Sequence, residues 1–115
     1  MQCDSDRVCQ ILVNLLTNAL RAVAPQGIVE LSTGHDAHMV WCRVHDNGIG
    51  IDATHIAHIF ERFYRVDPSR TRATGGAGVG LTIARAIAES HGGTLTVTSP
   101  GLGRGATFTL QLPRT

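Results

Sequence analysis

Hydrophobic periodicity changes from helical to strand-like and back along this chain, and that order admits few folds. Val8, Ile11, Leu12, Leu15, Leu16, Ala19, Leu20 and Val23 recur at helical spacing, which predicts one helix with a broad apolar face. Asp4 or Ser5 suits its N-cap, and Ala24-Pro25-Gln26-Gly27 ends it near Val23. Residues 28–33 and 39–44 alternate as strands, joined by Gly34-His35-Asp36-Ala37 as a hairpin turn. Residues 46–51 form a glycine-punctuated loop, 53–63 a short helix, and 64–80 a long, basic, aperiodic stretch. Residues 81–90 form a helix with Ile83, Ala84, Ile87 and Ala88 inward, closed by His91-Gly92-Gly93. Residues 95–98 and 106–112 alternate as strands on either side of a turn over 99–105. Helix, two strands, two helices, two strands imply a two-layer α/β sandwich, with three helices on one face of a mixed, mostly antiparallel sheet.

A chain of 115 residues makes one domain, which buries roughly 65% of its unfolded surface and needs no staples. Ten basic against nine acidic residues leave a net charge of +1, so charge alone points to neither nucleic acid nor a membrane surface. All ten basic residues are arginine. The absence of lysine excludes the Walker A P-loop, the protein-kinase fold with its strand lysine, and Schiff-base chemistry. Cys3, Cys9 and Cys42 are odd in number and lack C-x-x-C spacing. They read as free thiols of a reducing cytosol, with Cys9 and Cys42 as small core residues. No apolar run approaches membrane length and no signal peptide opens the chain, so a soluble intracellular protein is expected.

The first helix carries a polar stripe of Gln10, Asn14, Thr17, Asn18 and Arg21. A solvated face is the common fate of such a stripe. Asparagine is a poor helix former, however, and a face meeting only water would cost less with Glu, Lys or Gln. Two amides four residues apart offer two neutral oxygens to one point, which suits a Mg²⁺ ion already carrying polyphosphate oxygens. Asp46-Asn47-Gly48-Ile49-Gly50-Ile51 follows a strand. It is either a tight turn using glycine for unusual backbone angles or a place where the backbone approaches a planar ligand. In the second case the carboxylate accepts from an exocyclic amine. A Rossmann fingerprint is excluded, because Ala53 stands three positions past Gly50.

Gly75-Gly76-Ala77-Gly78-Val79-Gly80-Leu81 runs into a helix N-terminus. The alternatives are a hinge without ligand and a phosphate site, where unsatisfied amide donors and the macrodipole attract an anion. Four glycines in six positions at that junction favour the phosphate. Arg62, Arg65, Arg70 and Arg72 precede it, partly offset by Glu61 and Asp67. A nucleic-acid patch is broader and interleaved with aromatics. On a loop that ends at a phosphate nest, the arginines reach instead for a terminal phosphate.

In this order, the segments resemble the catalytic ATP-binding domain of bacterial sensor histidine kinases, the Bergerat-type fold shared with gyrase, MutL and a heat-shock chaperone. Residues 14–18, in Asn14-Leu15-Leu16-Thr17-Asn18-Ala19, resemble the family's N box, and residues 46–51 its first glycine box. Residues 59–65, Ile59-Phe60-Glu61-Arg62-Phe63-Tyr64-Arg65, resemble the F box, residues 64–80 the lid, and residues 76–81 the second glycine box. His91-Gly92-Gly93 and the closing Gly105-Ala106-Thr107-Phe108 also fit, so the resemblance covers nearly the whole chain.

The resemblance implies roles. Asp46 reads the adenine amino group, helped by Gly50 and Thr107 directly or through water, with Gly48 in the same loop. Asn14 and Asn18 hold Mg²⁺ and the phosphates of ATP, and Arg21 stands where the family often has lysine. Gly76, Gly78 and Gly80 cradle the phosphates, Leu81 closes that box, and Arg65 and Arg70 of the lid approach the γ-phosphate. Ala22 replaces a frequent aromatic. ATPases of the superfamily place a glutamate four residues before the metal asparagine to activate water. Here that position is Asn14, an amide that accepts no proton at neutral pH. Hydrolysis is therefore expected to be slow, and catalysis to rest on positioning and charge stabilisation.

The family's phosphoacceptor histidine lies on a separate helical hairpin, in a His-acidic motif with proline five residues on. Of His35, His38, His45, His55, His58 and His91, only His35-Asp36 and His45-Asp46 have the acidic neighbour, and neither has the proline. No acceptor is expected in this chain. The family also places a strand before the N box helix, so an excised fragment or the catalytic half of a split kinase is expected. The implied setting is a cytoplasmic, monomeric domain whose parent kinase is open to a membrane anchor. Its implied partners are a histidine-bearing dimerisation domain and a response regulator, with no nucleic acid and no direct membrane insertion. Two further functions stay open: a non-catalytic nucleotide-sensing module that acts by lid ordering, and a Bergerat ATPase, against which Asn14 argues.

Overall fold

The computed structural model describes residues 5–61 and 77–113. Its elements are α1 (Ser5–Ala22), β1 (Val29–His35), β2 (Met39–Asp46), α2 (Ala53–Ile56), α3 (Ala77–Ser90), β3 (Thr94–Thr98) and β4 (Ala106–Pro113). The strands form one sheet in the order β1-β2-β4-β3. All three pairings are antiparallel, so among the described residues the expected sheet has no parallel component. The helices cover one face of it, which is the expected two-layer sandwich.

Core packing follows the two periodicities. Ile11, Leu15 and Ala19 of α1, one turn apart, are fully buried. They meet Leu81, Ala84, Ile87 and Ala88 of α3 and the inward residues Cys42, Val44, Phe108, Leu110 and Leu112 of the sheet. The apolar stripe of α1 is narrower than its sequence suggests: Leu20 is exposed, because it lies roughly 140° around the helix from Leu15. Ile83, expected inward, is also exposed, though only to 38%, and Cys9 faces solvent. Burial pushes the Cys42 thiol up from its ordinary pKa.

Three local expectations change. Gly34 and His35 belong to β1, not to the turn, which is held by Asp36: its Oδ1 accepts from the amides of His38 and Met39, both at 2.7 Å. Gly34 is glycine because the indole of Trp41 lies across it, and a Cβ there would stand 2.1 Å from the ring. Of the helix expected over 53–63, the described part, to Glu61, is α-helical only to Ile56, then continues as tight turns through His58 N to His55 O and Glu61 N to His58 O. Asp52 caps it by accepting from the backbone amide and the hydroxyl of Thr54, bonds that hold its carboxyl below the usual range. Finally, α3 begins at Ala77, one turn earlier than its apolar pattern indicates. Its other end matches expectation, with Gly93 N on Ala88 O, Gly92 N on Glu89 O, and Gly92 at φ +79°.

Candidate functional site

Strand β2 alternates Cys42, Val44 and Asp46 into the core, and Asp46 is 1% exposed. Its Oδ1 accepts from Gly48 N at 2.8 Å. Its Oδ2 is buried and has no hydrogen-bond partner among the described residues. Leaving a buried acceptor unpaired costs about 1–3 kcal/mol, more when it is charged, so such an atom marks a place where a donor arrives from outside. Across the β2–β4 pairing Asp46 faces Ala106, whose side chain offers no polar atom.

The backbone around Asp46 is held on every side. Asn47 Oδ1 accepts from Ile28 N at 2.8 Å, and Asn47 N donates to Ile28 O at 3.2 Å. Ile49 N donates to Ala22 O at the end of α1. Gly103 N donates to Ile49 O and Gly105 N to Gly48 O, tying the 46–51 loop to the β3–β4 connection. A Cβ on Gly48 would stand 2.3 Å from Ala22 O, and one on Gly50, at φ +70°, 2.1 Å from Gly101 O. Both glycines of the first box therefore serve close approach between backbones.

The N box meets the second glycine box directly. Asn14, half-buried on α1, donates its Nδ2 to Gly80 O at 3.1 Å, which directs its amide at the first turn of α3. Asn18, one turn further along the same stripe, is also half-buried. Gly78 and Gly80 lie in that first helical turn rather than in a preceding loop, where the backbone amides have no partner within the helix. Among the described residues a Cβ on Gly80 would meet only Asn14, at 3.7 Å, an ordinary van der Waals contact, so their packing does not require glycine there. Arg21 is exposed in the last turn of α1.

Two expected members stand elsewhere. Thr107 alternates to the opposite face of the sheet from Asp46, since its neighbours Ala106 and Phe108 point inward, and its Oγ1 lies 2.8 Å from His45 Nδ1. Period-2 alternation thus points the Thr107 and Asp46 side chains to opposite faces of the sheet. Leu81 is 5% exposed in the core and acts through packing. Arg65, Arg70 and Gly76, with most of the lid and residues 62–65 of the F box, lie outside the described residues.

The sequence reading missed Ser99 and Thr82. Ser99 Oγ contacts both loops beside Asp46, and a serine opening a Ser-Pro-Gly turn was the available signal. Thr82 Oγ1 donates to Phe60 O at 2.8 Å. The Phe60 ring meets Phe108 edge-on at 6.1 Å, and Arg85 stacks over it at 5.4 Å. The start of the F box is thereby docked on α3.

Helices over an antiparallel sheet, with a buried strand-end carboxylate between glycine loops and an asparagine-bearing helix, define a class of catalytic domains. The family described as histidine kinase-, DNA gyrase B- and HSP90-like ATPase matches residues 3–115, and the chain belongs to it. The chain is 43% identical over 110 residues to the sensor histidine kinase RppB of Synechocystis sp., covering 96% of this chain and 24% of that protein. It is 40% identical over 111 residues to the sensor protein SrrB of Staphylococcus aureus, covering 96% of this chain and 19% of that one. The chain thus spans between 19% and 24% of the length of these relatives. Among solved structures, the catalytic domain of histidine kinase ThkA superposes with a TM-score of 0.82 at 27% identity, covering 98% of this chain and 71% of that one. The mycobacterial sensor histidine kinase MprB gives 0.82 at 30% identity, covering 96% and 72%. Full-length ShkA in complex with AMPPNP gives 0.77 at 33%, covering 93% of this chain and 21% of that one. No helix among the described residues is long and apolar enough to cross a membrane.

Proposed function

We propose that this chain binds ATP with Mg²⁺ and transfers the γ-phosphate to a histidine on a separate dimerisation domain, from which a response regulator is served. The observation that carries the proposal is the buried, unpartnered Oδ2 of Asp46. It is an acceptor that an exocyclic amine such as that of adenine satisfies and a carbonyl does not. The similarity to a kinase solved with AMPPNP supports the same reading.

At the other end, Asn14 holds Gly80 O through its Nδ2. Asn14 and Asn18 fit a hard cation that already carries phosphate oxygens, because they add neutral oxygens at i and i+4. Bound there, Mg²⁺ supplies charge neutralisation along the phosphate chain. The first turn of α3 offers amide donors to the phosphates, Arg21 adds a cation beside them, and Arg65 and Arg70 are the lid arginines assigned to the γ-phosphate. Asn14 cannot serve as a base, so the chain's own residues position and neutralise without activating water.

Gly80 gives a signed test of the phosphate end. Alanine fits sterically and favours the helix, so Gly80→Ala is expected to stabilise the apo protein by about 0.5–1 kcal/mol. The same methyl obstructs the approach to the helix N-terminus and is expected to weaken ATP binding by about tenfold or more. Calorimetric titration and a thermal melt read the two effects separately. Transfer itself is tested by incubating the chain with γ-labelled ATP and a panel of histidine-bearing dimerisation domains. Label on the acceptor and none on this chain is expected. Steady turnover without an acceptor marks an ATPase, and binding without transfer to any acceptor marks a nucleotide sensor.

A further inference from the structure

We infer that Ser99 is a positioning residue for nucleotide binding, its single hydroxyl fixing the two loops that flank Asp46. The inference rests on the nucleotide reading of that site. Ser99 is half-buried just past β3, and its Oγ lies where the 46–51 loop meets the β3–β4 connection. It accepts from Ile51 N at 3.0 Å and from Gly101 N at 3.2 Å. It donates to Gly105 O at 2.7 Å, with Gly101 O more distant at 3.4 Å. One donor and two lone pairs are all that a hydroxyl has, and all three are engaged between the two loops.

The consequence for Asp46 is geometric. Gly48, Gly50 and Ile51 follow it in sequence, and Gly105 packs against it: a Cβ on Gly105 would stand 2.0 Å from Asp46 O. The backbone bonds Gly103 N to Ile49 O and Gly105 N to Gly48 O close one end of this double loop, and Ser99 closes the other. Without the hydroxyl, Ile51 N and Gly105 O lose their partners. The Gly50–Gly101 approach, which both backbones make without side chains, is then tied at one end only. The carboxylate stays, but the walls that set a planar ligand against it lose their spacing, which raises the dissociation constant without altering the transfer step.

The test is calorimetric titration of MgATP and MgADP into the wild type, Ser99→Ala and Ser99→Thr, well below the melting temperature of each. Ser99→Ala is expected to weaken both nucleotides alike, by about tenfold, and to speed hydrogen exchange at the Ile51 amide. Ser99→Thr, which keeps the hydroxyl, is expected to bind within about threefold of the wild type. A purely structural role moves the melting temperature of Ser99→Ala and leaves its dissociation constants at the wild-type values, which overturns the inference. A threonine variant no better than alanine, or an alanine variant that fails to fold, overturns it too. A wild type that binds neither nucleotide overturns the nucleotide reading itself, and the two failures are thereby distinct.

Discussion

Asp46→Asn is expected to abolish measurable ATP binding while the apo protein melts at or slightly above the wild-type temperature. Asparagine keeps an oxygen for Gly48 N, which now bonds Oδ1 at 2.8 Å, so the turn survives. In place of the unpartnered Oδ2 it puts an NH₂ group, which opposes an incoming amine donor to donor. Losing a charge-assisted bond of about 1.5–3 kcal/mol and adding that conflict amounts to a loss of roughly 100-fold or more. The apo state exchanges one unpartnered buried polar atom for another of lower desolvation cost, so its stability is expected to hold. Asp46→Ala would blur the two effects, because it also deprives Gly48 N of its acceptor. Calorimetry with MgATP and thermal melts of both proteins decide the matter. An asparagine variant that binds like the wild type removes Asp46 from the site, and one that fails to fold makes it a scaffold residue.

Gly105→Ala is expected to be among the most destabilising single substitutions in the chain. Gly105 sits at φ +74°, and its Cβ would fall 2.0 Å from Asp46 O and 3.0 Å from Asp46 C. Both obstacles are backbone, at the end of the β2–β4 pairing that forms the middle of the sheet. Strain at positive φ adds to a clash that only strand separation relieves, for a cost of about 3 kcal/mol or more. Against a total stability of roughly 5–15 kcal/mol, that predicts a melting temperature lower by more than about 10 °C. Gly101→Ala is the control: its φ of +138° is also unusual for an L residue, but among the described residues a Cβ there meets nothing within 4 Å, so only the backbone strain remains. A urea titration of the two variants separates clash from strain. Equal midpoints would contradict the close-approach account of Gly105.

Much of the fold was legible because its signals are local. Ile11, Leu15 and Ala19 repeat at the helical period, residues 39–44 and 106–112 at the strand period, and His91-Gly92-Gly93 carries the glycine that a left-handed helix end requires. What periodicity could not supply was the width of a buried stripe. Leu20 and Ile83 lie on the margins of their helices and stay exposed, since only the position of the neighbouring layer decides where burial stops. Gly34 looked like a turn residue because glycine is common in turns, and the reason for it sits on the next strand, in the ring of Trp41.

The candidate site divides along the same line. Sequence by itself determined the family, the order of the boxes, and the chemical types that the site offers: a carboxylate at a strand end, paired asparagines on one helix stripe, and glycines before a helix. These depend on spacing along one chain. Only the tertiary structure decided which of them meet. It brought Asn14 to Gly80, sixty-six positions apart, and set Ser99 between the two loops beside Asp46. It also turned Thr107 to the far face of the sheet and left one buried carboxylate oxygen without a donor among the described residues. The physical reason is that hydrogen-bond satisfaction and close backbone approach are properties of the packed chain, and the local pattern carries no record of either.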